Sequence, residues 1–253
     1  MSMPQRIKVY DSQSSAYHQA FQVFLDHTDQ KVRAKQWLDR LVKRLPWQRT
    51  FIDVGAGNGK VTSWFIDSFH HTIATEPNES LRAELKKNCP QIEVLAEKIM
   101  DTDIAVSGDF VLCSHVLYYI KRAEWMAHLE RLASLVSQEG VLMVVVQHHE
   151  SDCMHMLQHF FGLCFDLGAL AGTFQAEKGD QYEMSIETVP AHVTTSDLPT
   201  AYIIAEFMLN LLPMPLPPAR SDLEEYVLRY FSSPEGGFHF SCDQDFLQIR
   251  PRK

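Results

Sequence analysis

The chain has 253 residues, a hydrophobic fraction of 45% and a formal net charge of −9 with histidines neutral. This length suits one enlarged α/β domain and allows a full core without disulfides or metal ions. An acidic chain gains nothing from the release of counterions from phosphates, so the composition argues against nucleic acid as a partner.

The cysteines and the N-terminus carry no sign of export or of metal binding. Five cysteines without a CxxC pair indicate neither a disulfide framework nor a metal site. The first residues lack the apolar stretch of a signal peptide, and no uncharged apolar run approaches the ~18 residues of a membrane span. We therefore expect a cytoplasmic protein without metal or membrane contacts, as a monomer or a weak homodimer.

The predicted elements change in kind at residue 50. Residues 1–48 carry apolar side chains at helical spacings and predict an N-terminal helical cap. Short apolar runs then alternate with amphipathic stretches, which predicts βα units and a mostly parallel sheet. The predicted strands are 50–54, 71–75, 91–95, 109–114 and 141–146, and the predicted helices are about 58–69, 78–88 and 122–137.

The rhythm of the sequence changes again after residue 150. The patterns predict a helical segment at 151–170, a polar loop at 171–181 and a strand at 182–191; helices at 197–211 and 220–231, separated by a Pro-rich stop; and a last strand from 238 to 249. No clean linker is present. We therefore predict a single domain over 1–253, with the cap at 1–48, a core at 49–150 and a part at 151–253 that completes the sheet and supplies a lid.

The most informative segment is Phe51-Ile-Asp-Val-Gly-Ala-Gly-Asn-Gly-Lys60. Gly55, Gly57 and Gly59 follow a strand, where glycines let the backbone bend tightly and let a ligand approach closely. Lys60 stands where the dinucleotide fingerprint requires its last glycine, and the spacing of a Walker loop also fails. The remaining pattern, an acidic residue followed by G-x-G-x-G, resembles motif I of the class I methyltransferases.

This resemblance implies a binding site for S-adenosylmethionine in the core. The glycine loop would pass the methionine part of the cofactor, with Asp53 near its ammonium group. Glu76, about twenty residues on, would accept hydrogen bonds from the ribose hydroxyls, and the turn 96–101 would contact the adenine. The predicted cofactor-binding residues are Asp53, Gly55, Ala56, Gly57, Gly59, Glu76, Pro77, Glu97, Lys98, Ile99 and Ser114.

A narrower resemblance is carried by residues 17–28, by Leu117-Tyr118-Tyr119-Ile120 and by the order of elements after residue 182. These stretches are similar to the histamine N-methyltransferase-like enzymes. In that family an N-terminal carboxylate grips the substrate amine, and Gln30 is the matching position here. A neutral Gln30 implies an acceptor less basic than histamine. The predicted substrate-binding residues are Tyr17, Phe21, Gln30, His115, Tyr118 and Tyr119.

The chemistry implied is methyl transfer to a small-molecule acceptor, with nitrogen as the leading acceptor atom. A nitrogen or oxygen acceptor must lose a proton, which favours a nearby base, and His115 and Tyr118 are the predicted catalytic residues. Transfer to oxygen or sulfur, or a non-methylating enzyme that uses the same cofactor, are the alternatives among enzymes. A catalytically silent cofactor-binding protein is the alternative from another class. The implied fold is Rossmann-like, with a C-terminal antiparallel strand.

Overall fold

The computed structural model describes residues 5–11, 14–211, 214 and 216–253. These residues form two compact units, each assembled from three stretches of chain. The sheet unit comprises Lys35–Val146, Asp166–Thr188 and Asp245–Lys253, and the helical unit comprises the described parts of Met1–Ala34, Gln147–Phe165 and Val189–Gln244. The Pro-rich stop at 211–220 lies partly outside the described residues. The single domain in three parts stays a prediction.

Eight α-helices and nine strands occur in the part of the chain that the structure describes. The helices are α1 (Ser15–His27), α2 (Gln30–Val42), α3 (Glu79–Asn88), α4 (Trp125–Ser134), α5 (Asp152–Phe161), α6 (Leu167–Lys178), α7 (Leu198–Leu209) and α8 (Arg220–Tyr230). The strands are β1 (Thr50–Val54), β2 (His71–Thr75), β3 (Glu93–Leu95), β4 (Gly108–Ser114), β5 (Val136–Gln147), β6 (Tyr182–Val189), β7 (His192–Thr195), β8 (Phe238–Ser241) and β9 (Gln244–Pro251).

The central sheet has seven strands in the order β3-β2-β1-β4-β5-β9-β6. β1 pairs in parallel with β2 and β4, and parallel pairing continues from β2 to β3 and from β4 to β5. One C-terminal strand, β9, is antiparallel. The predicted Rossmann-like α/β fold is therefore confirmed, and β1 and β2 have the predicted bounds.

A cluster of aromatic rings fills one side of the sheet near its centre. Phe51 of β1 stacks on Phe110 of β4 at 5.2 Å between ring centroids, and Phe65 and Phe69 pack against both rings. Phe65 and Phe69 belong to the stretch 62–69, where the prediction of a helix at 58–69 is wrong. The chain forms two 3₁₀ turns there, Thr62–Trp64 and Ile66–Ser68, in a stretch whose β-branched start disfavours an α-helix.

The prediction of a polar loop at 171–181 is also wrong, because α6 continues to Lys178. Asp166 caps this helix by accepting the Ala169 N–H at 2.8 Å. Leu167, Leu170 and Phe174 fall on one helical face and are buried. The polar residues that suggested a loop form the exposed face of the same helix.

The last strand predicted at 238–249 is two strands. β8 pairs antiparallel with β7 in a two-stranded sheet, whereas β9 belongs to the seven-stranded sheet. Cys242 and Asp243 separate them, and the Asp243 carboxylate accepts the Ala191 N–H at 2.9 Å. The alternation of side chains continues through this break, so the pattern alone did not reveal it.

The helical unit is built around α7. Nearly every side chain from Ala201 to Leu209 is buried, Glu206 included. Phe207 of this helix contacts Tyr17, Phe21 and Phe24 of α1 at 5.4 to 5.8 Å between ring centroids. Among the described residues, no helix has both the length and the apolar character needed to cross a membrane.

Candidate active site

The four strands that precede the predicted cofactor-binding residues end at one edge of the sheet. The register pairs Val54 with Thr75 on one side and with Cys113 on the other, and Thr75 pairs with Leu95. The carboxyl ends of parallel strands form the edge at which open α/β sheets bind ligands. The last residues of these strands and the loops after them carry the predicted cofactor-binding residues.

The glycine loop after β1 depends on backbone conformations that favour glycine. Gly55, Gly57 and Gly59 have φ values of 72°, 58° and 83°. A Cβ would lie 2.5 Å from Val116 at Gly55 and 2.7 Å from Leu85 at Gly59, so a side chain at either position would force its neighbour to shift. A Cβ at Gly57 would meet no described atom within 4 Å. The loop therefore leaves open space at Gly57, as a passing ligand chain requires.

Asp53 is a buried carboxyl group at the end of β1. Its Oδ2 accepts a 2.6 Å hydrogen bond from the Thr62 hydroxyl. Burial, together with the negative charge of Glu76, raises the pKa of Asp53 to about 7, although the Thr62 bond acts in the opposite direction. A cation beside this group would stabilise the ionised carboxylate, so the site fits a ligand ammonium group.

Glu76, directly after β2, is tied to the glycine loop. Its Oε2 accepts the Gly57 N–H and its Oε1 accepts the Asn78 N–H, each at 2.8 Å. Arg82 holds the turn by donating to the backbone carbonyls of Glu76 and Pro77 at 2.9 Å. A carboxylate accepts about four hydrogen bonds in all. Each oxygen of Glu76 therefore keeps capacity for a ligand hydroxyl.

The turn after β3 is held by hydrogen bonds between its own residues. The Lys98 carbonyl accepts the Asp101 N–H at 2.9 Å and the Thr102 hydroxyl at 2.7 Å. Ile99 is buried, whereas Glu97 and Lys98 are exposed. Contact of this turn with an adenine stays a prediction.

The end of β4 holds an unusual backbone conformation. Ser114 ends the strand, and His115 follows with φ of 59°, the one positive φ outside glycine among the described residues. This conformation is costly for a residue with a side chain, and such strain clusters at functional sites. The His115 N–H donates to the Val145 carbonyl at 2.8 Å, and its Nδ1 lies 3.3 Å from the Tyr118 hydroxyl. The structure thus brings the two predicted catalytic residues together.

Tyr119 lies near the same edge. Although 67% of its surface is exposed, desolvation of its hydroxyl and the charge of Glu76 raise its pKa. The Tyr119 phenol and the Glu76 carboxylate are therefore close enough to interact electrostatically.

The other predicted substrate-binding residues belong to the helical unit. Tyr17 and Phe21 are half-buried against Phe207. Gln30 is buried, and its side-chain nitrogen donates to the Cys242 carbonyl at 2.9 Å. These contacts favour packing and structural roles within the unit, and contact with an acceptor stays a prediction for all three.

Sequence reasoning missed two residues that shape the cofactor edge. Thr62 bonds the buried Asp53, and Arg82 bonds the turn after β2. Thr62 follows Asp53 by nine residues in a segment that was predicted to be helical, so nothing in the spacing indicated the bond. Arg82 is a half-buried residue of α3, and an arginine on a helix is ordinarily solvated.

A family model and a curated protein both match parts of this chain. A family model described as a methyltransferase domain matches residues 25–209. A curated protein from Alkaliphilus oremlandii, described as an uncharacterized methyltransferase, is 23% identical over 101 residues, which are 40% of this chain and 47% of that protein. The chain thus matches about half the length of this curated relative.

Two solved structures share the fold at low identity. The YcgJ protein from Bacillus subtilis has a TM-score of 0.60 at 11% identity, with 85% of this chain and 98% of that chain covered. The N-methyltransferase NodS from Bradyrhizobium japonicum, in complex with S-adenosylhomocysteine, has a TM-score of 0.56 at 12% identity, with 95% and 100% covered. Because the family match spans well over half of the chain, this protein belongs to the methyltransferase-domain family and has the fold of the class I S-adenosylmethionine-dependent methyltransferases.

Proposed function

We propose that this chain transfers the methyl group of S-adenosylmethionine to a small-molecule acceptor, with nitrogen as the methylated atom. The observation that carries this proposal is the grouping of Asp53, Gly57 and Glu76 at one edge of the sheet. A buried carboxyl group, open space beside a glycine and a carboxylate bonded to the same loop suit the ammonium, the methionine chain and the ribose of this cofactor.

The bound cofactor supplies a methyl group that is already activated on a sulfonium. The protein must therefore mainly align the acceptor and keep water out, and positioning of this kind contributes ~7–11 kcal/mol in well-oriented reactions. The Glu76 carboxylate, held by the Gly57 and Asn78 N–H groups, is suited to fix the cofactor against the glycine loop.

His115 is the side chain best suited to accept the acceptor's proton. Histidine is the side chain whose ordinary chemistry includes proton exchange near neutral pH, and the Nδ1 of His115 lies 3.3 Å from the Tyr118 hydroxyl. Tyr118 would fix the ring orientation and His115 would hold the proton released from the acceptor nitrogen. The strained backbone at His115 supports this role, because it directs the side chain at an energetic cost.

A nitrogen acceptor is supported by two further points. An N-methyltransferase, NodS, shares the fold along nearly all of this chain. The neutral Gln30, at the position matching the amine-gripping carboxylate of the histamine N-methyltransferase-like enzymes, argues for a nitrogen less basic than that of histamine. Oxygen or sulfur acceptors, and a silent cofactor-binding protein, are the alternatives that the assay must separate.

The test combines binding with turnover. Calorimetry measures the affinity for S-adenosylmethionine, and release of S-adenosylhomocysteine is followed with panels of weakly basic heteroaromatic amines, histamine, phenols and thiols. We expect turnover with the first panel and ~10²-fold slower turnover in His115→Asn at unchanged cofactor affinity. His128→Asn is the matched control, since His128 is a half-buried histidine of α4 in the same unit.

Each alternative has its own outcome in this assay. Tight cofactor binding without turnover of any panel would favour the silent binding protein. Turnover confined to phenols or thiols would move the acceptor atom to oxygen or sulfur, and equal rates in His115→Asn and His128→Asn would remove His115 from the chemistry.

A further inference from the structure

The helical unit contains a cavity of about 380 Å³ that none of the cofactor-binding residues lines. Its walls come from the segment Gln5–Tyr10, from α1 and from α7, with Arg220 at the start of α8. This volume falls within the range of small-molecule sites. All the residues that line the cavity belong to the helical unit.

The apolar wall follows from helical periodicity. Ala16, Ala20 and Val23 of α1 lie on one helical face, and Pro199 and Ile203 of α7 do the same. The aromatic residues of α1 occupy another face of the helix, where they contact Phe207. The packing of the unit therefore leaves the small-residue face of α1 to line the cavity.

The polar wall is centred on Glu206, which is only 3% exposed. Its Oε1 accepts the Lys8 N–H at 2.9 Å and the Tyr202 hydroxyl at 3.0 Å, and its Oε2 accepts the Tyr10 hydroxyl at 2.7 Å. Burial and Glu206 raise the pKa of both phenols, so both remain protonated donors. Groups of the protein itself therefore fill most of the hydrogen-bonding capacity of the Glu206 carboxylate.

Three cationic side chains line the same cavity, namely Arg6, Lys8 and Arg220. Arg6 donates to the Pro217 carbonyl. Neither Lys8 nor Arg220 forms an ion pair in the described parts of the chain, and the Arg220 guanidinium lies over the Tyr202 ring at 5.0 Å. With Glu206 counted, the lining carries an excess of two positive charges in a chain whose net charge is −9.

We propose that this cavity binds a small organic acid. Its carboxylate would pair with Lys8 and Arg220, and its apolar body would lie along the face of α1 formed by Ala16, Ala20 and Val23. Glu206 does not compete for the two cations in the way an exposed carboxylate would, because Tyr10, Tyr202 and the Lys8 backbone already bond it. Guanidinium groups suit this role, since their fork of donors matches a carboxylate.

Calorimetric titration with phenylacetate tests the proposal, because this probe joins one carboxylate to one apolar ring. We expect saturable binding to the full chain in low salt, at least fivefold weaker in Arg220→Gln and in Lys8→Gln. Phenylacetamide, which has the same shape without the charge, should bind at least fivefold more weakly than phenylacetate to the unaltered chain.

Arg229→Gln is the matched control, since Arg229 also lies over a tyrosine ring of the same unit, that of Tyr230 at 5.3 Å, but does not line the cavity. Thermal melts of all variants check that the fold is kept. The proposal is overturned if phenylacetate does not bind, if Arg220→Gln and Lys8→Gln bind it as the unaltered chain does, or if Arg229→Gln weakens it equally.

Discussion

Asp53→Asn should make the protein more stable at neutral and alkaline pH. The folded-state pKa of Asp53 is about 7, against an ordinary value of 3.8. Because the folded value is the higher one, the stability that protonated Asp53 contributes is fully present below pH ~4 and is lost as the pH rises through ~7. A shift of about three units at ~1.4 kcal/mol per unit corresponds to about 4 kcal/mol for this fully buried group.

Urea denaturation from pH 4 to pH 8.5 measures this effect as the difference between variant and unaltered protein. Asparagine cannot ionise, and its side-chain oxygen can still accept a hydrogen bond from the Thr62 hydroxyl. The free energy of unfolding of the variant, relative to that of the unaltered protein, should therefore rise by a few kcal/mol from the lower to the upper end of this pH range. Asp67→Asn, which alters an exposed carboxylate of the same unit, should give a flat difference. Parallel pH profiles for Asp53→Asn and the unaltered protein would refute the reasoning.

The same ionisation should be coupled to the cofactor. A ligand ammonium beside Asp53 favours the carboxylate, so affinity for S-adenosylhomocysteine should rise between pH 5.5 and 7.5 in the unaltered protein. In Asp53→Asn the affinity should be weaker and nearly independent of pH over this interval. Calorimetry at matched ionic strength measures the affinity of the two proteins at each pH. An equal pH dependence in the two proteins would show that Asp53 does not interact with the ligand ammonium group.

Gly57→Ala should weaken cofactor binding at least tenfold, whereas Gly162→Ala should leave it unchanged. Both glycines have a positive φ and open space at the Cβ, so thermal melts should show the same modest destabilisation in the two variants. Equal cofactor affinities of the two variants by calorimetry would contradict the assignment of Gly57 to the cofactor site. Glu76→Ala should weaken cofactor binding at least tenfold by calorimetry, because hydrogen bonds to a charged acceptor contribute ~1.5–3 kcal/mol each. Asp109→Asn should destabilise the protein by about 1–3 kcal/mol at pH 7 in urea unfolding, since hydrogen bonds from Arg49 and Ser137 outweigh desolvation and lower its pKa. That difference should shrink as the pH falls below 4, and a constant difference would argue against the ion pair.

The sequence predicted the elements whose signal is local. β1 and β2 are short apolar runs between polar boundaries, and their register alone brings Asp53 and Glu76 to one edge. Motif I predicted the glycine loop, because a side chain at Gly55 or Gly59 would be strained at a positive φ and would crowd Val116 or Leu85. The fold and the cofactor edge therefore followed from pattern and topology together.

The parts that were missed depend on tertiary contacts. Thr62 bonds Asp53 only because the chain makes two short turns where an α-helix was expected. The left-handed conformation of His115 has no sequence signal, since a residue with a side chain rarely adopts it. The bond from Gln30 to Cys242 is visible only when α2 and the turn after β8 are placed in space, and contact of Gln30 with an acceptor stays a prediction.

The position of β9 constrains the order in which the sheet can form during synthesis. This strand lies between β5 and β6, yet it follows both in the chain, by nearly a hundred residues in the case of β5. While the ribosome still holds residues 244–251, β6 has no neighbour to join and β5 presents an open edge. Such an edge recruits other strands. A nascent chain of this protein therefore exposes an aggregation-prone surface for longer than a sheet filled from its centre outward would.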